Sequence, residues 1–263
     1  IGCGQCRVVC PTGAIVIKNE TVKVWNLLAD KQKRVVVQIA PAVRVALGEE
    51  FGLPAGENSA GKIVAALRKL GFDEVYDTAL GADLTVLEES KELVNRLNDG
   101  NEHDMPMFTS CCPGCFKYAH DAHPELAEDI STCRSPMQMF SAVLKEHFDS
   151  MKAVDGLDTA VVAIMPCTAK KGEILRPDCQ TEGRQDTDVV LTTQELSSMI
   201  KEAGIQFNEL EAQAADMPFG LVSGAGVLFG VTGGVTEAVL RKIAADKTQD
   251  ALEDIAYTGV RGM

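Results

Sequence analysis

The chain has 263 residues, 46% of them hydrophobic and 24% charged, with a formal net charge of −13 at pH 7. Such a composition excludes disordered, collagen-like and coiled-coil chains, and the length allows one large domain or two small ones. The acidic balance argues against a nucleic-acid surface, and the longest apolar stretch, residues 221–235, is Gly-rich and too short to span a bilayer.

Residues 1–20 form a short piece rich in cysteine and turn residues, and alternating strands and helices begin near residue 21. The β-branched run 34–40 (RVVVQIA) predicts a buried strand ended by Pro41. Residues 60–70 predict a helix with Ile63, Val64, Leu67 and Leu70 on one face and Gly71 as its stop. A second helix is expected over 84–97, closed by Asn98, Asp99 and Gly100. At about 100° per residue its Leu84, Val86, Leu87, Leu93, Val94 and Leu97 form one apolar face, with Glu89 at the edge and Glu92 about 60° further out. A carboxylate on the margin of a buried face has reason to hold or relay a proton. Residues 107–110 read as a short strand running into Cys111, Cys112 and Pro113, and Pro113 suits a first helical turn.

A helix is expected over 136–148, and the run 159–165 (TAVVAIM) reads as a buried strand leading directly to Pro166 and Cys167. Residues 188–191 predict another short strand, Thr193 a cap for the helix after it, and Glu195 a charge near that helix's positive end. A Gly-rich segment over 223–234 precedes a last helix over 236–245. The alternation predicts an α/β fold with a mostly parallel sheet. Such sheets bind ligands beyond the carboxyl ends of their strands, where Cys112 and Cys167 both fall.

Nine cysteines in tight clusters do not suit a secreted disulfide scaffold and point to metal or redox chemistry. No secretory signal or acylation motif is visible, so a cytoplasmic location is expected. Cys3, Cys6 and Cys10, followed by Pro11, match the last three cysteines of the ferredoxin run C-x2-C-x2-C-x3-C-P, whose first cysteine would precede Ile1. A zinc ribbon would need a second Cys or His pair at suitable spacing, and none follows. Cys112-Pro113-Gly114-Cys115 leaves three readings open on spacing alone: a thioredoxin-like dithiol, inert packing cysteines, or a metal site. Cys133 and Cys179 read most simply as packing thiols.

Met165-Pro166-Cys167-Thr168-Ala169-Lys170-Lys171-Gly172-Glu173, taken with Thr109-Ser110-Cys111-Cys112-Pro113, resembles the FeFe-hydrogenase family. Its members carry TSCCP and MPCxxKxxE, followed by ExMxCxxGC. Residues 40–44, 81–94 and 217–237 share the resemblance, but the third motif does not occur before Met263. The chain therefore reads as a hydrogenase cut at both ends and inactive as it stands. The resemblance implies a remnant of a ferredoxin-like 4Fe–4S domain over 1–20 and an α/β hydrogenase active-site domain over 21–263.

It also implies a cofactor, the H-cluster: a 4Fe–4S cubane joined through a cysteine thiolate to a di-iron unit with carbon monoxide, cyanide and a bridging dithiolate. Cys112 and Cys167 are then two of the four cubane ligands, and Cys3, Cys6 and Cys10 belong to an additional 4Fe–4S cluster. Lys170 corresponds to a lysine that hydrogen-bonds a cyanide. Ala40, Pro41, Met165, Pro166 and Phe229 correspond to the packing around the di-iron unit. Cys111 corresponds to the proton donor to the dithiolate amine, reached from solvent through Glu92, Ser131, Glu89 and a water. The implied activity is reversible reduction of protons to dihydrogen with electrons from ferredoxin, after maturation proteins deliver the di-iron unit.

The sequence departs from the family at Cys115, where Trp is usual, and at Met137, where Gln is frequent; Ala42 stands where some members carry Ser. Two other classes compete: a non-catalytic sensory or iron–sulfur assembly relative, and a dithiol oxidoreductase using Cys112 and Cys115. Retention of Cys111, Glu89, Ser131 and Glu92 favours catalysis.

Overall fold

A computed structural model describes residues 1–99, 106–231 and 233–245, so Gly100, expected to close a helix, lies outside the described residues. The chain divides into two compact units. The larger contains residues 2–78 and 140–221; the smaller contains the described residues of 79–139 and 222–245, with Ile1.

A parallel sheet organises the larger unit. Its strands are β1 (Lys33–Ile39), β2 (Glu74–Asp77), β3 (Asp158–Met165) and β4 (Val189–Thr192), in the order β2-β1-β3-β4. Val36 pairs with Val161 and Val37 with Val75, while Ile164 pairs with Leu191. The continuous β-branched runs of β1 and β3 are buried on both faces, as a parallel sheet covered by helices requires. The helix Ala60–Leu70 buries Ile63, Val64, Ala66, Leu67 and Leu70 and stops at Gly71, whose φ of +104° favours glycine.

Sequence reading missed several elements here, among them the helices Thr21–Ala29 and Pro41–Ala46 and the strand β2. β2 has only four residues, too few for a periodic signal. Its outer edge is covered by the segment at Asp216, which donates its N–H to Val75 O at 2.9 Å and accepts the Val75 N–H at 2.8 Å. Arg68 holds that segment through Asp216 and Gln213, both at 2.6 Å, so the edge is not left open.

One cap moves by a residue. β4 runs to Thr192, and Thr192, not Thr193, caps the helix Thr193–Glu202: its hydroxyl accepts the Glu195 N–H at 3.2 Å while Glu195 accepts the Thr192 N–H at 2.7 Å. The extended backbone of the last strand residue supplies the cap geometry, and Thr193 is already helical.

The smaller unit contains the helices Ala79–Asp99, Pro113–Ala122, Gly224–Leu228 and Gly234–Ala245. Another helix, Pro136–Asp155, extends beyond the expected 136–148. Residues 107–110 form no strand. A single parallel bridge joins Phe108 to Ile130, because the Phe108 N–H finds only Asp129 O and its carbonyl only the Ser131 N–H.

The buried face of Ala79–Asp99 also differs from the expected one. Ala79, Ala82, Val86 and Glu89 are inside, whereas Leu87, Val94 and Leu97 are exposed. The cause is the Gly-rich segment packed on the helix start. A Cβ at Gly226 would lie 2.5 Å from Ala79 O, and Ser223 donates its N–H to Asp83 Oδ2 at 2.8 Å. Close backbone approach selects the small residues of the helix for the interface. No described helix is long and apolar enough to cross a membrane.

Candidate active site

The site in the smaller unit is built on one turn of Ala79–Asp99. Glu89 lies in the middle of the buried face, at 0% exposure, rather than at its edge. Its Oε1 accepts the Ser110 N–H at 3.4 Å, and its Oε2 has no hydrogen-bond partner. Burial pushes its carboxyl up to about 7; the Glu92 charge adds to this, while the Ser110 N–H and the Ser131 hydroxyl oppose it.

Glu92, on the next turn, is surrounded by donors. Its Oε2 accepts from Ser131 Oγ at 2.7 Å, the Thr132 N–H at 3.1 Å and Thr132 Oγ1 at 3.2 Å, and its Oε1 from Arg96 Nη2 at 2.7 Å. Burial would raise this carboxyl, but the Ser131 hydroxyl, Arg96 and the Thr132 N–H together hold it below the usual carboxylate range. Two glutamates on one helix thus have their affinities for a proton pushed apart, with a buried serine hydroxyl beside both. That is the arrangement of a proton acceptor and a proton store. Cys111, half-buried, directly follows the Ser110 that holds Glu89.

Sequence reading missed three of the donors to Glu92: Thr132, Arg96 and Cys133. Arg96 pairs with Glu92 and also donates to the carbonyls of Glu128, Asp129 and Ile130, fixing the loop that carries Ser131. The Glu–Arg spacing of four residues on one helix is the signal that could have found it. Cys133 is not simply a packing thiol: its Sγ donates to Glu92 Oε2 at 3.6 Å and its N–H to Ser131 Oγ at 3.2 Å. Burial, with both carboxylates nearby, pushes this thiol up to about 12, so it acts as a neutral donor. Cys179 is buried, as a packing thiol should be.

Cys112 caps the helix Pro113–Ala122 and is exposed, its Sγ accepting the Cys115 N–H at 3.4 Å. The backbone donors of this helix end point at the sulfur. Cys115 is exposed on the same turn, Met137 is buried and Phe229 is half-buried. The strand expected to deliver Cys111 and Cys112 is the single bridge described above.

In the larger unit the carboxyl end of the sheet gathers the other candidates. Met165 ends β3, buried, and is followed by exposed Pro166 and half-buried Cys167. The Ala40 N–H donates to Ile164 O at 3.0 Å, which sets Ala40 and Pro41 beside this end. Lys170 is not a solvated lysine: its Nζ lies 2.8 Å from Glu173 Oε2, with the glutamate side chain 2% exposed. Cys10 is held at about 7, first by the Thr12 hydroxyl and then by the N–H groups of Ile15, Thr12 and Ala14. Cys3 and Cys6 are exposed, on either side of the start of the helical turn Gln5–Val8. Among the described residues no group of three or more His, Cys, Asp or Glu side chains gathers closely enough to hold a metal ion. The spacing of Cys3, Cys6 and Cys10 places the three in one segment, but the helical turn between them does not bring their sulfurs to one point.

Comparison with known proteins extends these observations. Residues 33–263 match the family model of the iron only hydrogenase large subunit, C-terminal domain. The chain is 43% identical to the NADP-reducing hydrogenase subunit HndD of Solidesulfovibrio fructosivorans over 99% of its own length and 45% of the relative's. It is 45% identical to iron hydrogenase 1 of Clostridium pasteurianum, over 96% of this chain and 44% of that one. The chain thus spans about half the length of the curated relatives it matches. A more distant relative, cytosolic iron-sulfur assembly component 3 of Bos taurus, is 32% identical over 88% of this chain and 50% of its own. Among solved structures, a variant FeFe-hydrogenase of Chlamydomonas reinhardtii superposes with a TM-score of 0.74 at 39% identity, covering 86% of this chain and 58% of that one. With its parallel α/β sheet, its motifs and these matches, the chain belongs to the FeFe-hydrogenase family, in the C-terminal domain of the large subunit.

Proposed function

We propose that this chain carries the proton relay and two of the cubane thiolates of an enzyme that reversibly reduces protons to dihydrogen. The observation that carries the reading is the Glu92–Ser131 hydrogen bond beside a fully buried Glu89 whose carboxyl sits near 7, one peptide from Cys111.

The residues suit the cofactor that the family implies. Soft sulfur donors match iron–sulfur ligation, Cys112 presents an exposed sulfur, and the unpartnered Glu89 Oε2 has an acceptor position to spare for a water. When bound, the H-cluster supplies the iron at which two protons and two electrons combine to dihydrogen. Cys112 and Cys167 would hold its cubane; Cys3, Cys6 and Cys10 match a further 4Fe–4S cluster by spacing alone, since their sulfurs are not gathered to one point. Lys170, kept in place by Glu173, would donate to a cyanide. Ala40, Pro41, Met165, Pro166 and Phe229 would exclude water from the di-iron unit, with its carbon monoxide and dithiolate.

Glu92, ionised at neutral pH, takes a proton from solvent. The Ser131 hydroxyl, donor and acceptor at once, passes it inward. Glu89 holds it near neutrality and releases it through a bridging water to Cys111, which hands it on. Ferredoxin or a similar carrier supplies electrons, maturation proteins deliver the di-iron unit, and a reducing cytoplasm suits the thiols. Residues 1–20 would belong to a ferredoxin-like domain and 21–263 to the active-site domain.

The test is a full-length protein containing this sequence, matured with its di-iron unit. Infrared bands of carbon monoxide and cyanide together with dihydrogen production are expected. Bands without turnover would establish a sensory relative, and iron–sulfur clusters without bands an assembly relative like that of Bos taurus.

A further inference from the structure

The first turn of the helix Pro113–Ala122 has two faces. Pro113 and Gly114 are buried, whereas Cys112 before them and Cys115 after them are exposed. Cys112 is the cap, with an extended backbone of φ −94° and ψ 106°, and Cys115 is the third residue of the helix. Cap and third residue face each other across a first turn, which is why a capping box joins those two positions. The Cys112 sulfur makes the same approach: it lies 3.4 Å from the Cys115 nitrogen, two bonds from the Cβ that carries the second sulfur. On an ordinary helix face, Cβ atoms three residues apart are about 5–6 Å apart, beyond the roughly 3.5–4.5 Å that a disulfide spans. Here the extended cap backbone turns Cys112 over the turn instead, and Pro113 fixes the φ of the first helical residue. Rotation about the Cα–Cβ bonds then carries the two sulfurs together or apart.

Among the described residues of the smaller unit, no other cysteine is placed in this way. Cys111 is half-buried and precedes the cap, and the half-buried Cys133 donates its Sγ to Glu92 Oε2 at 3.6 Å. Cys115 has no part in the proposed relay or in the proposed ligand set.

We propose that Cys112 and Cys115 form a site of reversible thiol–disulfide exchange with small disulfides of the glutathione class. The Cys112 sulfur attacks one sulfur of the small disulfide, whose S–S bond breaks; one small thiol leaves, and a mixed disulfide forms at Cys112. The Cys115 sulfur then attacks the Cys112 sulfur, and the second small thiol leaves. Two protein thiols are oxidised to one disulfide, the small disulfide is reduced to two thiols, and two protons pass from the protein thiols to the leaving ones. Excess small thiol runs the steps backward. One sulfur cannot both close this bond and bind iron, so the exchange belongs to the chain before its cofactor arrives. That consequence rests on the ligation proposed above; the bond itself does not.

The test uses the full-length protein containing this sequence, freed of iron, fully reduced and then incubated with glutathione disulfide. Alkylation of Cys112 and Cys115, read by peptide mass spectrometry, should fall about tenfold and return with excess glutathione. A peptide linked between these two positions should appear. In Cys115→Ser the mixed disulfide should stay on Cys112, because the second thiol is missing, and Cys115→Ala should behave likewise. Unchanged alkylation in the wild type, or a link from Cys112 to Cys111 or Cys133 instead, overturns the site. A mixed disulfide that persists on Cys112 in the wild type as it does in Cys115→Ser overturns the second step. In the iron-loaded protein the link should not form. A link that forms equally in loaded and iron-free protein overturns the ligation proposed for Cys112 and leaves the exchange site standing.

Discussion

Glu195 of the larger unit and Glu89 of the smaller are both buried carboxylates, at 7% and 0% exposure, with opposite fates. Glu195 receives Lys171 Nζ, the Thr192 N–H and the Glu20 N–H, all within 2.8 Å, and although burial works against it these donors hold it below the usual carboxylate range. Glu89 receives one N–H at 3.4 Å, keeps one bare oxygen, and is pushed up to about 7. Depth does not separate them; the number of donors does. A buried anion with its donors complete ties segments together, and one left short of donors is poised to carry a proton.

The largest expected effect breaks the proposed relay at its inner end. Cys111→Ala in the matured full-length protein should lower dihydrogen turnover by about 10²–10⁴-fold while the infrared bands of the cofactor persist. Unchanged turnover would exclude Cys111 from the relay.

Glu89→Gln sharpens the comparison through pH. The folded carboxyl binds its proton more tightly than the unfolded one, whose ordinary value is 4.5. The stability this confers is complete below about 4.5 and is lost as pH rises through about 7, roughly 3 kcal/mol in all. Denaturant unfolding at pH 5 and pH 8 should therefore show a loss in the wild type that Glu89→Gln lacks. Parallel behaviour of the two proteins would mean that Glu89 is not held protonated. Glu195, held low, has the opposite sign: its contribution is lost as pH falls through its depressed value.

A smaller change is expected at Arg96. Arg96→Ala removes a donor from Glu92 and from three carbonyls of the 128–130 loop, so the Glu92 carboxyl should rise toward the ordinary range. Turnover should fall about tenfold, equivalent to about 1.4 kcal/mol on the barrier. Carboxyl infrared titration follows Glu92 directly, and an unmoved Glu92 would assign Arg96 to the loop alone. The smallest effect belongs to Thr192→Ala, which opens the capping box of Thr193–Glu202 at a cost of about 1 kcal/mol. Thermal unfolding reads that loss, and dihydrogen turnover should not respond.

Much of the fold was legible because its signals are local. The β-branched runs of β1 and β3 announced buried parallel strands, and Gly71 announced the end of Ala60–Leu70. The motif cysteines pointed to the family before any geometry. What failed to show was set by partners distant in sequence. β2 is too short to carry a pattern, and residues 107–110 have one bridge partner where a strand needs a row. The apolar face of Ala79–Asp99 was misplaced because the Gly226 backbone, far along the chain, selects small residues there.

The sequence by itself determined the α/β class, the family and the positions of Cys111, Cys112 and Cys167, since composition, periodicity and motif spacing are properties of neighbours in the chain. Only the tertiary structure decided that Glu89 sits at the centre of a buried face, that Arg96 and Cys133 join Glu92, and that Cys112 and Cys115 are both exposed on one helical turn. Whether a carboxylate stores a proton or anchors a loop depends on how many donors the fold brings to it, and those donors come from residues up to 175 positions away.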